Sequence, residues 1–292
     1  MAIFNTLECV ALKQITFLHV DKLNDPFDPY FFFETDFNED YQEILGFIQK
    51  NYANNLVEFK QTLPRENWKR AVRSMQEHLN NIYNSTFLFS TIEINKKQHP
   101  KDNLYMWSHY GDGHRSVAIK FDAILLAKAV LEQLNKPEGL TGTIDEVWTE
   151  IIYQNEPPKI TRESIVHYIM GWDKSKLYDI MTRRLSLKDL VWKLEKEWRL
   201  TWRNDETRLK ILRLNLIDDT IKAIYLGCHI ADNFIDDIIF EAKRYFPKAE
   251  IYKAKITKGK FGLDFEQIGG PVNVTLAEDR KQKTEKRHVK NP

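Results

Sequence analysis

The sequence predicts an α+β protein: a mixed, mostly antiparallel sheet with helices packed on it and a helical insertion over about residues 36–83. Three observations carry this. Several short segments alternate apolar and polar residues with period two, as half-buried strands do. Longer segments place apolar residues three and four apart, as amphipathic helices do. A hairpin-like turn at Lys258-Gly259-Lys260-Phe261 joins two of the strand segments.

In chain order, residues 8–20 read as a short lead into a strand at Gln14–Val20. Leu23-Asn24-Asp25-Pro26-Phe27-Asp28-Pro29 follows. Asn and Asp bond their own backbone and Pro fixes its own dihedral, so this is turn chemistry. It reads either as a surface turn or as a loop that brings Asn24, Asp25 and Asp28 to a ligand. After Asp36, the spacing of Tyr41, Ile44, Leu45, Phe47 and Ile48 predicts a helix. Pro64 opens another, whose stripe of Trp68, Ala71, Val72, Met75, Leu79, Ile82 and Tyr83 reads as core. Phe87–Ile92 reads as a buried strand, and a polar loop over 93–103 leads to Met106-Trp107-Ser108-His109-Tyr110-Gly111-Asp112-Gly113-His114.

That stretch reads as a polar loop that concentrates Trp, His, Tyr, Ser and Asp, with two glycines to bend the backbone, and feeds the alternating segment Arg115–Asp122. A helix over 122–135 with Asp122 as cap comes next, then a strand over 144–153, a helix over 161–184 and another over 186–192. The second dense stretch is Lys193–Arg203. Its alternation places Glu195, Glu197, Arg199 and Thr201 on one strand face. Strands are expected over 210–216 and 221–227, a helix over about 231–245, and strands at 249–256 and after the turn Lys258–Phe261. Residues 1–268 are expected to form one α+β domain, and 269–292 a disordered tail.

The bulk numbers exclude several classes. With 292 residues, 42% hydrophobic and 29% charged, the chain has the profile of a water-soluble globular protein. No apolar run approaches membrane-spanning length, and the N-terminus lacks the pattern of a signal peptide, so no membrane partner and a cytoplasmic location are expected. Cys9 and Cys228 are too few for a disulfide framework or a structural zinc site. The net charge of +1 includes a C-terminal tail (278–292) with six basic and three acidic residues, a balance of +3 that leaves the rest near −2. The body is therefore not basic, which weakens a nucleic-acid reading based on charge.

The spacing of His109 and His114 does not fit a helical metal pair, and a loop pair needs further Cys or His ligands, of which only His99 lies near in sequence. No Gly-x-Ser-x-Gly elbow, P-loop or Gly-x-Gly-x-x-Gly fingerprint occurs. A nucleotide site would have to rest on other parts. Trp107, His109 and Tyr110 can stack on a planar ring, and Asn24 and Asp25 can bind hydroxyls. Glu195 or Glu197 can hold a ribose hydroxyl and stabilise positive charge at an anomeric carbon. The bland reading of the two glutamates is the exposed polar face of an edge strand screened by Arg199.

Leu23–Asp28, then Met106–Tyr110 with Gly113-His114 and the strand to Asp122, then Glu195-Lys196-Glu197-Trp198-Arg199, in that order, resemble the bacterial family DUF2971 over roughly residues 12–267. The same layout resembles ADP-ribosyltransferase-like folds at the level of fold alone. That resemblance implies an enzyme that binds NAD as a substrate, holds no permanent cofactor, and breaks the bond between nicotinamide and ribose. Glu197 would be the catalytic carboxylate and Glu195 would orient the acceptor or a ribose hydroxyl, with Arg199 supporting both. Tyr110 and His109 would frame the nicotinamide or ribose. Trp107, Ser108 and His114 would complete the binding wall, and Asn24 and Asp25 would close it. A nucleic acid or protein would accept the ADP-ribosyl group, in phage defence or as a toxin. The alternative is a noncatalytic module that binds a nucleotide-like ligand with the same residues.

Overall fold

Strand Gln14–His19 (β1) buries Ile15, Phe17 and His19 and leaves the residues between them more open, the period-two pattern expected of it. The computed structural model describes residues 9–25, 27–28, 32–33, 41–92, 103–133, 147–173, 175, 185–204 and 209–271. Phe32–Phe33 (β2) precedes three helices, Tyr41–Asn51, Leu56–Thr62 and Arg65–Asn84. The last buries Trp68, Val72, Met75, Leu79 and Ile82 at the predicted spacing. Thr86–Ile92 (β3) is the predicted buried strand. The expected loop over 93–103 lies almost wholly outside the described residues.

Leu104–His109 is a short helix, which corrects the reading of this stretch as a loop. Asn103 caps it by accepting the Met106 N–H at 3.1 Å. Val117–Phe121 (β4) leads to helix Ala123–Gln133, where Asp122 Oδ1 accepts the N–H groups of Ile124 and Leu125 as expected. The single strand expected over 144–153 is two, Trp148–Glu150 (β5) and Ile152–Gln154 (β6), because the chain changes partner at Ile151. Lys159–Ile160 (β7) precedes helix Arg162–Met170. Gly171, at φ 69°, ends that helix, and residues 176–184 of the longer helix expected there lie outside the described residues.

The helix expected over 186–192 is instead strand Leu187–Asp189 (β8) followed by a 3₁₀ turn, Leu190–Glu195. Three residues are too short a run for periodicity to separate strand from helix. Glu197–Arg203 (β9), Ile211–Asn215 (β10), Ile221–Leu226 (β11), helix Asp232–Tyr245, Glu250–Ile256 (β12) and Leu263–Gly269 (β13) complete the chain as predicted. The tail from 272 onward lies outside the described residues.

The chain divides into two compact units. The first comprises Met1–Ile15, Ile94–Gln133 and Leu214–Pro292, and the second Thr16–Glu93 and Leu134–Arg213. The first is built on a four-stranded sheet in the order β13-β12-β11-β4, with β11 and β12 parallel and the outer pairings antiparallel. Trp107, Ala223, Tyr225, Ala254 and Leu263 cluster in its core. The second carries the sheet β10-β1-β3-β9-β5, in which β9 lies antiparallel between β3 and β5. Two short parallel pairs, β2 with β7 and β6 with β8, are formed by segments that lie between its strands in sequence. Its helices share a second core, Tyr41, Ile44, Phe59, Trp68 and Met75 with Ile160 and Ile165. The protein is thus mixed α+β with mostly antiparallel larger sheets.

Candidate functional site

In the second unit the late glutamates belong to a buried ionic network. Arg199 is 0% exposed, Glu195 3%, Glu197 5%, Asp28 6% and Lys188 7%, which overturns the exposed-edge reading. Arg199 donates Nε to Glu197 Oε1 at 2.7 Å and Nη2 to Glu197 Oε2 at 3.0 Å. Nη1 donates to Asp28 Oδ1 at 2.8 Å and to the Leu185 carbonyl at 3.1 Å, and Nη2 also bonds Asp28 Oδ2. A guanidinium has five N–H donors, and here every one has an acceptor. Lys188 Nζ donates to Glu195 Oε2 at 2.7 Å and Glu197 Oε2 at 3.2 Å and stands 3.6 Å from Asp28 Oδ2. Charges this deep are tolerable only when paired and hydrogen-bonded, and these are.

Local structure brings the five together. Glu195 is not on the strand face with Glu197, as the alternation implied. It ends the 3₁₀ turn, and Lys196, at φ 47°, turns the chain before β9 begins. Lys188 on β8 then bridges the two glutamates. Asp25 makes the turn that its sequence predicted, with Oδ1 accepting the Phe27 N–H at 2.9 Å, and the turn delivers Asp28 to Arg199. Asn24 is exposed. Tyr153 on β6 accepts the Glu197 backbone N–H at 2.8 Å.

Burial on its own would raise the Glu197 carboxyl, but Arg199 and Lys188 outweigh it and hold the group below the ordinary carboxylate range. Burial likewise works against the charge on Lys188, and Glu197, Glu195 and Asp28 reverse it, raising the ammonium above its ordinary value. Desolvation pushes the Tyr153 hydroxyl up to about 12.

In the first unit the helix that carries Trp107, Ser108 and His109 runs into a turn over residues 110–115 held by backbone hydrogen bonds. Asp112, Gly113 and His114 are consecutively left-handed, at φ 50°, 57° and 67°. Asp and His occupy that region more readily than most residues, yet a run of three is costly and needs support. The support comes from within the turn and from residues 227–229. The His114 N–H donates to the Trp107 carbonyl at 3.2 Å, and the Ser116 N–H to Gly111 at 3.0 Å. The His229 N–H donates to the His114 carbonyl at 3.0 Å, and the Gly227 N–H to Ser116 at 3.0 Å. Gly227 must be glycine here, since a Cβ would lie 2.1 Å from the His114 carbonyl oxygen.

The side chains fall into two groups. His114 stacks on buried Trp107, with ring centroids 6.1 Å apart and planes within 10°, and meets His229 edge-on at 6.3 Å. Its Nε2 lies 3.4 Å from Ser108 Oγ, while its Nδ1 is buried without a partner. Burial and then His229 lower its pKa below the ordinary histidine value. A nucleophilic serine needs its histidine oriented by a third group at Nδ1, and this histidine has none, so Ser108–His114 is not a hydrolytic dyad. His109, exposed, stacks on Tyr105 at 5.3 Å and meets Tyr110 edge-on at 4.7 Å.

The structure therefore brings Glu195, Glu197 and Arg199 together in the second unit, and Trp107, Ser108 and His114 together in the first, with His109 beside Tyr110. Sequence reasoning missed Lys188 and the full role of Asp28 in the network, and His229 in the turn. Gly227-Cys228-His229 at a strand end was the available signal for the last. Among the described residues, no group of three or more His, Cys, Asp or Glu is placed to hold a metal ion, and no helix is long and apolar enough to cross a membrane.

A mixed α+β protein with a closed ionic network and a histidine-bearing turn is the class that fold and site define. Residues 106–200 match the model of the family described as protein of unknown function (DUF2971). The match opens at Met106, the first residue of the Trp-Ser-His-Tyr stretch, and closes at Leu200, just beyond Glu-Lys-Glu-Trp-Arg, so it bears out the family resemblance on two of the three stretches that suggested it. No curated protein and no solved structure matches the chain.

Proposed function

We propose that the protein is a noncatalytic binding module of the bacterial cytoplasm that takes a nucleotide-like ligand at the turn around His114. The commitment of Glu197 favours this over catalysis. Its two oxygens are occupied by Arg199 and Lys188 in a buried network, so it supports structure and leaves no carboxylate edge for a ribose. The turn offers what a ligand needs. Exposed Ser108, His109 and Asp112 stand on a rigid, backbone-bonded scaffold, with His229 beside them and the ring of Tyr110 against His109. Titrating the protein with ADP and with NAD while following the histidine ring protons tests the reading. Saturable shifts at His114 and His229, abolished by Gly227→Ala, support it; unshifted histidines with both ligands contradict it.

A second reading, ADP-ribosyl transfer from NAD to a nucleic acid or protein in phage defence or as a toxin, is favoured by one observation. Arg199 and Lys188 keep Glu197 ionised, and cleavage at an anomeric carbon needs a carboxylate of that charge. In that reading Arg199 releases Glu197 when substrate binds, and nicotinamide release disappears in Glu197→Gln.

A further inference from the structure

Arg115 is the one Lys or Arg in the stretch Met106–Ser116, and it stands exposed on the His114 turn. Its guanidinium folds back over Gly113. Nη1 donates to the Asp112 carbonyl at 3.3 Å, and a Cβ at Gly113 would stand 3.2 Å from the same nitrogen. Glycine, at φ 57°, supplies both the left-handed turn and the room for the guanidinium to lie against it. On the carbonyl side of the same residue, His229 Nδ1 lies 3.4 Å from the Gly113 oxygen. Arg115 and His229 thus meet the turn at one residue.

The charge of this guanidinium is uncompensated. Asp112 gives it a backbone oxygen and not its carboxylate, and no Asp or Glu pairs with it among the described residues. The bond to Asp112 uses one of five N–H donors, and a guanidinium stays charged at every working pH. His114, which burial and then His229 hold below the ordinary histidine value, is uncharged in neutral solution. Arg115 is therefore the permanent cation of the turn.

The turn also stands where a strand-helix-strand unit meets its ligands. β11, helix Asp232–Tyr245 and β12 form such a unit, with the two strands parallel. Leu226, the last residue of β11, pairs with Val117, the first of β4, so residues 110–115 lie at the carboxyl end of β11. Ligands of parallel α/β units bind outside the carboxyl ends of the strands.

We infer, on the binding-module reading, that Arg115 holds a phosphate of the ligand taken at the His114 turn, so that the site selects a nucleotide over its nucleoside. A planar fork with donors to spare suits a phosphate, which accepts two parallel N–H bonds. Because Arg115 is exposed, the phosphate reaches it without rearranging the turn.

Titrating the parent and Arg115→Gln with ADP and with adenosine, while following the ring protons of His114 and His229, tests this. The parent is expected to bind ADP more tightly than adenosine, by an excess that shrinks as salt is raised. Arg115→Gln, whose amide can still donate to the Asp112 carbonyl, should lower ADP affinity about tenfold more than adenosine affinity, the size of one charge-assisted contact to phosphate. If ADP and adenosine bind the parent equally, or if Arg115→Gln weakens both alike, the role of Arg115 is overturned while the binding module stands. If neither ligand shifts the histidines, both fall.

Discussion

Arg199 grips Glu197 side-on from two positions along the same strand, Nε to Oε1 at 2.7 Å and Nη2 to Oε2 at 3.0 Å, while its terminal nitrogens hold Asp28. Removing the guanidinium leaves Asp28 and Glu197 buried with Lys188 as their one remaining cation among the five residues. Arg199→Ala should cost about 3–5 kcal/mol of stability, the usual range when one partner of a buried ion pair is lost. Arg199→Lys should recover only part of it, because an ammonium cannot reproduce the planar fork that serves two carboxylates. Urea unfolding of the two variants checks both statements.

Gly227→Ala tests the support of the His114 turn. The added Cβ would meet the His114 carbonyl oxygen at 2.1 Å and the Ser116 oxygen at 3.0 Å, and both are backbone atoms that cannot swing aside. Loss of about 2 kcal/mol or more is expected, since the clash also breaks the bonds from Gly227 and His229 into the turn. A thermal unfolding midpoint close to that of the parent would show that the turn is not held in this way.

Stability should fall with acid in two windows. Burial and His229 hold His114 below its ordinary value of 6.5. The unfolded chain therefore takes up a proton that the folded chain resists, and stability present above that value is lost as pH falls through the folded pKa. Glu197, held below its ordinary 4.5 by Arg199 and Lys188 against the opposing effect of burial, adds a second loss as pH falls below that value. His114→Asn keeps a residue at ease in the left-handed region and should flatten the upper window alone. Denaturant midpoints measured across the acid range would reveal it.

Much of the fold was legible because periodicity is a local signal. Ile15 and Phe17, the stripe from Trp68 to Ile82, and the strands 221–226 and 250–256 lie where their spacing put them. The misses share a cause. Leu187–Asp189 is too short to show a period, and Glu195 left the strand face because Lys196 adopts a left-handed conformation that no pattern announces for Lys. Two members of the ionic network were hidden from sequence: Asp28 lies 171 positions from Arg199, and Lys188, which bonds the glutamates, sat in a segment read as helix. The Asn-Asp-Pro turn pointed at Asp28 without saying what it would meet. Burial overturned the exposed-edge reading of the glutamates, and burial is the property that alternation alone cannot give to both faces of an inner strand.

The most direct measurement is to incubate the full-length protein with NAD and follow free nicotinamide alongside NAD binding. The binding-module account predicts saturable NAD-induced shifts at His114 and His229 with no nicotinamide released, in the parent and in Glu197→Gln alike. Nicotinamide release by the parent that vanishes in a folded Glu197→Gln would contradict it, and would mean that Glu197 leaves Arg199 to act on the substrate.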